Sequence, residues 1–228
     1  YWLSDHPEKA DTIVQDIVDF VRRQDGGYYD KHKVCSTERL NSLMANALQL
    51  QAARNHNFHR EPKQTLDMYT ESYRLLLHSD VKEALPKACA NLADAYIQVN
   101  DIPGAAKWYR RALFLVDSLG LPEKENITLY MGLAQIYLSL HDFHSAQIYY
   151  NETERYFRLM SPQMQAYHIN NLGNFYYYTK DYAKALATFK RMERLLIDRG
   201  MSNKFDMYLC RVNLADVYLN LGRLSEAR

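Results

Sequence analysis

One set of residue types returns along this chain at nearly constant spacing, and it constrains the fold more than any other feature. Leu172-Gly173-x-x-Tyr176 is followed by Ala185, nine residues after the tyrosine, and then by Phe189 four residues later. In the same way Leu92-Ala93-x-x-Tyr96 leads to Ala105 and Tyr109, and Leu133-Ala134-x-x-Tyr137 leads to Ala146 and Tyr150. Leu214-Ala215-x-x-Tyr218 leads to Ala227, and near the start Tyr1 stands nine residues before Ala10. Residues three and four apart share a helix face. Each set therefore places large, small and large side chains on one helix, and small then large on the next. The small residues let two antiparallel helices approach to about 8–10 Å between axes. Lys180-Asp181 makes the turn between them.

These residues closely resemble the tetratricopeptide repeat (TPR), whose helix-turn-helix signature is W-x2-L-G-x2-Y…A-x3-F…P. The resemblance is strong from about Lys82 to Arg228 and weaker before it. The chain departs from the signature in two ways. Cys89, Tyr130, Ile169 and Arg211 stand at the tryptophan position, and the closing proline is missing. The period is also long: Ala105, Ala146, Ala185 and Ala227 are 41, 39 and 42 residues apart, against about 34 in the common form. The tyrosine-to-alanine gap never changes, so the additional residues fall between one pair and the next and are expected to lengthen the helices there by about one turn. The long period is similar to that of kinesin light chains and of many bacterial regulators. The resemblance implies an all-α, right-handed α-solenoid of antiparallel helix pairs.

Taken in order, residues 1–228 read as a single repeat array, irregular over 1–80 and regular over 81–228, cut within a repeat at both ends. Tyr1-Trp2 close a first-type helix, Asp5-His6-Pro7 turn, and a second-type helix carries Ala10, Val14, Ile17, Val18 and Val21 until Gly26-Gly27 stop it. The next unit holds an insertion, spread over the region 25–62, with helices expected near 36–54 and 63–78. From there first-type helices are predicted near 82–99, 123–140, 162–179 and 203–221, and second-type helices near 103–118, 142–159 and 182–198. Gly120 and Gly200 fall where a left-handed terminating residue is expected. Ser161 before Pro162 suits a helix start.

Composition narrows the function. A net charge of +1 argues against nucleic acid as a main partner. The longest unbroken apolar run, Ala112–Val116, falls far short of the roughly 20 residues that a membrane helix needs, so this region is expected to be soluble, without membrane insertion. Cys35, Cys89 and Cys210 are widely spaced without a CxxC pair, which gives neither a disulfide framework nor a zinc site. Free cysteines favour a reducing compartment, the cytoplasm, with the periplasm as the alternative if a signal or anchor lies upstream. There is no glycine-rich phosphate loop, G-x-S-x-G elbow or H-E-x-x-H. The reading is of a non-enzyme with no cofactor and no metal.

The surface implied by the resemblance is the concave groove, lined by the arc of each first-type helix beside its core stripe. The residues assigned to partner binding there are Asp94, Gln135, Tyr167, Asn170, Asn174, Tyr177 and Asp216. Lys87 is the one basic groove residue, so the cluster of lysines and arginines with which chaperone-binding members hold acidic tails is absent. Amides and aromatics suit an apolar or mildly basic peptide or helix, and asparagines can bond extended backbone. The same residues would also pack against the following repeat. His141 with His144, and His56 with His59, lack a third ligand and read as surface histidines. Lys107, Arg110 and Arg111 read as a solvated outer face. The expected function is a non-catalytic protein- or peptide-binding region of a larger signalling or regulatory protein, such as a bacterial sensor or transcription regulator. The alternative is a standalone assembly scaffold or adaptor, with which self-association is compatible.

Overall fold

The computed structural model describes residues 12, 14–21, 36–57, 61–200 and 204–227. Its helices are α1 (Thr37–Asn57), α2 (Pro62–Leu77), α3 (Leu85–Gln98), α4 (Ile102–Ser118), α5 (Asn126–Ser139), α6 (Phe143–Arg155), α7 (Pro162–Tyr178), α8 (Tyr182–Asp198) and α9 (Lys204–Asn220). Residues 14–21 are also helical, with Val14 and Val21 buried. No strand occurs among the described residues. The expected turns at Asp5–Pro7 and Gly26-Gly27 lie outside them. The chain divides into two compact units, Tyr1–Leu129 and Tyr130–Arg228, and the division falls inside α5.

The turns explain why the gap from tyrosine to alanine is constant. In the first unit, the amide of Asp101 donates to the Tyr96 carbonyl at 2.9 Å and that of Asn100 donates to Ile97 at 2.9 Å, with Asn100 left-handed at φ 62°. This pair of bonds satisfies carbonyls that the end of a helix would otherwise orphan. Asp101 then caps the next helix, its side chain accepting from the Gly104 amide at 2.9 Å. In the second unit His141-Asp142 and Lys180-Asp181 repeat this arrangement, with Asp142 and Asp181 bonded to the carbonyls of Tyr137 and Tyr176, each at 2.9 Å. Their carboxylates cap through Ser145 and Lys184 at 3.0 and 3.2 Å. Five residues separate each tyrosine from its aspartate and four separate the aspartate from the alanine, whose amide makes the first helical bond back to the aspartate carbonyl. At Tyr218 the last bond persists to Arg223, but no aspartate follows, and the side chain of Arg223 pairs with Glu226 instead.

With the turn fixed, the small residues meet the large ones. Ala93, Ala134, Ala105, Ala146 and Ala185 are fully buried. In the second unit a Cβ added to Gly173 would lie 2.5 Å from Cε1 of Phe189, itself fully buried. Phe189 sits in a cluster with Ile169, Leu196, Cys210 and Val217, while Tyr150, Leu172 and Phe175 form a neighbouring cluster with Ala134 and Ala146. Tyr176 packs against both. In the first unit Tyr69, Leu92 and Ala95 share a cluster with Ala52, against which Trp108 and Tyr96 pack. Burial pushes the thiols of Cys89 and Cys210 up to about 12 and about 11.

The residues between pairs do not simply lengthen the helices. Lys82–Ala84, Glu123–Glu125 and Phe157–Leu159 form 3-10 turns. The helix expected to reach residue 159 ends at Arg155, because the Tyr156 amide bonds the Thr153 carbonyl and Gln165 holds the Phe157 carbonyl at 2.8 Å. Gly120 and Gly200 are left-handed, at φ 62° and 61°, as their placement predicts. A polar network also lies in the second unit. Glu154 of α6 accepts from Arg191 of α8 at 2.7 Å and bonds Nε2 of the buried His168 of α7 at 2.7 Å, with Arg191 stacked 4.1 Å from the Phe157 ring.

Close approach at the small residues gives the first prediction. Gly173→Leu and Ala146→Leu are each expected to lower stability by about 1–3 kcal/mol through overpacking. Urea denaturation checks this, and unchanged midpoints for both variants would contradict the packing described.

Candidate functional site

The groove residues of the second unit lie on α5, α7 and α9, and four of them, Gln135, Tyr167, Asn170 and Tyr177, take part in hydrogen bonds between first-type helices. The Tyr167 hydroxyl donates to Oε1 of Gln135 at 3.0 Å. Nδ2 of Asn213 donates to Oδ1 of Asn170 at 2.9 Å, and Nδ2 of Asn220 donates to the Tyr177 hydroxyl at 3.2 Å. Each bond joins one first-type helix to the next. Tyr177 is half-buried, like Tyr176, and packs edge-on to Tyr182 with centroids 5.7 Å apart. Tyr167 is 50% exposed, and Asp216 is exposed with its backbone carbonyl bonded by Asn220.

Asn174 faces open space instead. With Gln135, Leu138, Ser139, His141, Asn171 and Tyr178 it lines a cavity of about 390 Å³, within the usual range for ligand sites. Tyr150 of α6 also lines this cavity. It is 2% exposed, and its hydroxyl is buried with no hydrogen-bond partner. Burial and the neighbouring Tyr167 hydroxyl both raise its pKa, so it stays a phenol. His141, taken from sequence as a surface residue, is exposed at this cavity. Ser139, Asn171, Tyr150 and Tyr178 were not picked out by groove position.

A signal for Tyr150 is present in the repeat alignment. In the first unit the corresponding tyrosine, Tyr109, donates its hydroxyl to Asp94. Position by position, Gln135 stands where Asp94 stands, but its oxygen accepts from Tyr167, and the Tyr150 hydroxyl has no hydrogen-bond partner. In the following repeat the pair is Asn174 and Phe189, and no hydroxyl exists. Asp94 thus has an internal role. Burial raises its carboxyl pKa, partly opposed by the Tyr109 hydrogen bond and the nearby His56.

Lys107, Arg110 and Arg111 stand with Tyr73, Trp108 and Phe114 around a hollow of about 550 Å³ in the first unit. No group of three His, Cys, Asp or Glu side chains able to hold a metal occurs among the described residues, and no helix there is long and apolar enough to cross a membrane.

Two half-buried carboxylates should respond to pH with opposite sign. Burial would raise the Glu154 pKa, but bonds from His168 and Arg191 outweigh it and hold it below the usual range. Its stabilisation is present above the unfolded-state pKa and is lost as pH falls through the lower folded value. Asp94, held above its usual range, costs stability once pH exceeds the unfolded-state pKa. At neutral pH Glu154→Gln should therefore melt below the parent and Asp94→Asn at or above it, with both differences shrinking in acid. Thermal melts between neutral pH and about pH 3 check the pair, and shifts of the same sign would contradict the electrostatics.

Comparison with known proteins fits this geometry. Residues 88–123 and 127–152 each match a tetratricopeptide repeat model. No curated protein matches the sequence closely enough to count. Among solved structures the chain is similar to BtubC (BKLC) from P. vanneervenii, with a TM-score of 0.76 and 24% identity over 96% of this chain and 86% of that one. A putative kinesin light chain of nearly identical TPR-like repeats from Podosopora anserina gives 0.67 and 12% identity over 80% and 88%. A Rap protein complexed with Competence and Sporulation Factor gives 0.67 and 14% identity over 87% of this chain and 54% of that one. Residues 88–123 and 127–152 thus match tetratricopeptide repeats, and the chain, with its periods of 39 to 42 residues, has a TPR-like solenoid fold.

Proposed function

We propose that this chain is a non-catalytic repeat region that binds a protein or peptide along its first-type helices, as part of a larger signalling or regulatory protein. The observation that carries this reading is the cavity at Gln135, Asn171 and Asn174. Its walls combine amides that bond extended backbone with aromatic faces that anchor side chains. The Rap protein with a bound factor supports the regulatory setting by similarity of fold. Tyr167, Asn170 and Tyr177 belong to the same proposed surface, where their hydrogen bonds also tie one repeat to the next, and Asp216 stands exposed on α9. Asp94 lies in the other unit and is a less direct participant, since Tyr109 occupies it.

Selection from a displayed library of random dodecamer peptides tests the reading. Enriched peptides should bind Asn174→Ala and Tyr177→Ala more weakly, by about 2 kcal/mol if these are anchors, while both variants keep the parent's helicity. Tyr176→Ala, wedged between two core clusters, should instead lose about 3–5 kcal/mol of stability. Peptides that bind all three variants as they bind the parent would remove the groove assignment.

A further inference from the structure

A buried hydroxyl without a partner costs stability, so a free protein that keeps one at the wall of an open cavity invites the question of what satisfies it. Tyr150 is such a residue. The other buried unpartnered side-chain atoms among the described residues of the second unit, Nδ1 of His168 and Oε1 of Gln165 on α7, belong to residues that do not line the cavity. The Tyr150 ring is fixed by Phe175, with centroids 5.2 Å apart, so its hydroxyl cannot swing away to another acceptor.

The remaining wall says which chemistry fits. No lysine, arginine, aspartate or glutamate lines the cavity. Apart from the exposed His141, a carboxylate or ammonium would meet no group of opposite charge there, which is far costlier than burying a neutral polar group. The Gln135 oxygen accepts from Tyr167, and its amide also carries two N–H donors. The Ser139 hydroxyl already donates to the Ile136 carbonyl at 2.7 Å, so its oxygen is left as an acceptor. Leu138 and Tyr178 supply apolar surface for a methylene stem.

We infer that this cavity is a side-chain subsite for a glutamine or asparagine of the bound segment, whose carbonyl oxygen accepts the Tyr150 hydroxyl. The N–H groups of that amide are met by Ser139 and by the oxygens of Asn171 or Asn174. The inference rests on the peptide-binding reading and makes it specific. It also states why this repeat keeps a tyrosine where the next has Phe189.

The same dodecamer selection, followed by Tyr150→Phe, tests it. Enriched peptides should share glutamine or asparagine at one position. Replacing that residue by leucine or glutamate should weaken binding to the parent about tenfold, and Tyr150→Phe should bind the amide peptide more weakly than the parent does and narrow its advantage over the leucine peptide. Tyr150→Phe should also melt at or above the parent, whereas Tyr109→Phe, which loses its bond to Asp94, should melt below it. Enriched peptides with no shared amide, or with undiminished affinity for Tyr150→Phe, would overturn the subsite and leave peptide binding standing. A melt of Tyr150→Phe lowered as far as that of Tyr109→Phe would show the hydroxyl to be structural and overturn it too. A library that yields no binder would overturn the peptide reading and this inference together.

Discussion

The bond from the aspartate amide to the carbonyl of the tyrosine five residues earlier is what the rest of each helix pair depends on. It closes the first helix, and the same aspartate opens the second. Only two residues, one of them left-handed, lie between the end of one helical ladder and the cap of the next. Such a turn leaves no freedom to slide. Alanine and glycine then face bulky partners at a spacing where one added carbon would collide, as at Gly173 and Phe189. The left-handed conformations of Asn100, His141 and Lys180 are a local cost, and the contact they secure runs the length of two helices.

The face beside that core serves two purposes. Gln135, Tyr167, Asn170 and Tyr177 use their polar atoms to link first-type helices, and the Tyr177 ring packs against the core. A residue on this arc is thus both a joint between repeats and a candidate contact for a ligand. What distinguishes a binding position is unspent hydrogen-bonding capacity next to open volume. Asn174 and the hydroxyl of Tyr150 meet that test more directly than the bonded pairs around them.

Most of the fold was legible in the sequence. Helix positions, turn positions and the core stripe followed from the spacing of small and large residues, because packing at close approach tolerates few alternatives. The residues between pairs were not legible in the same way. The helix ending at Arg155 and the 3-10 turns depend on particular bonds, such as that of Gln165 to the Phe157 carbonyl, which no periodicity announces. Groove position identified Gln135 and Asn174 at the cavity. It passed over Tyr150, which as a core-stripe residue reads as packing alone. Its loss of an acceptor emerges only when Asp94, Gln135 and Asn174 are compared in place.

The central claim is that the turn sets the register of each pair and that the connection between pairs does not. Equilibrium unfolding of two single-glycine insertions tests it most directly, one between Lys180 and Asp181 and the other after Leu121. The first should destroy the fit of Gly173 to Phe189 and lower stability strongly. The second should cost little, since the repeat period itself varies by up to three residues in such connections. Equal losses for the two insertions would contradict the account.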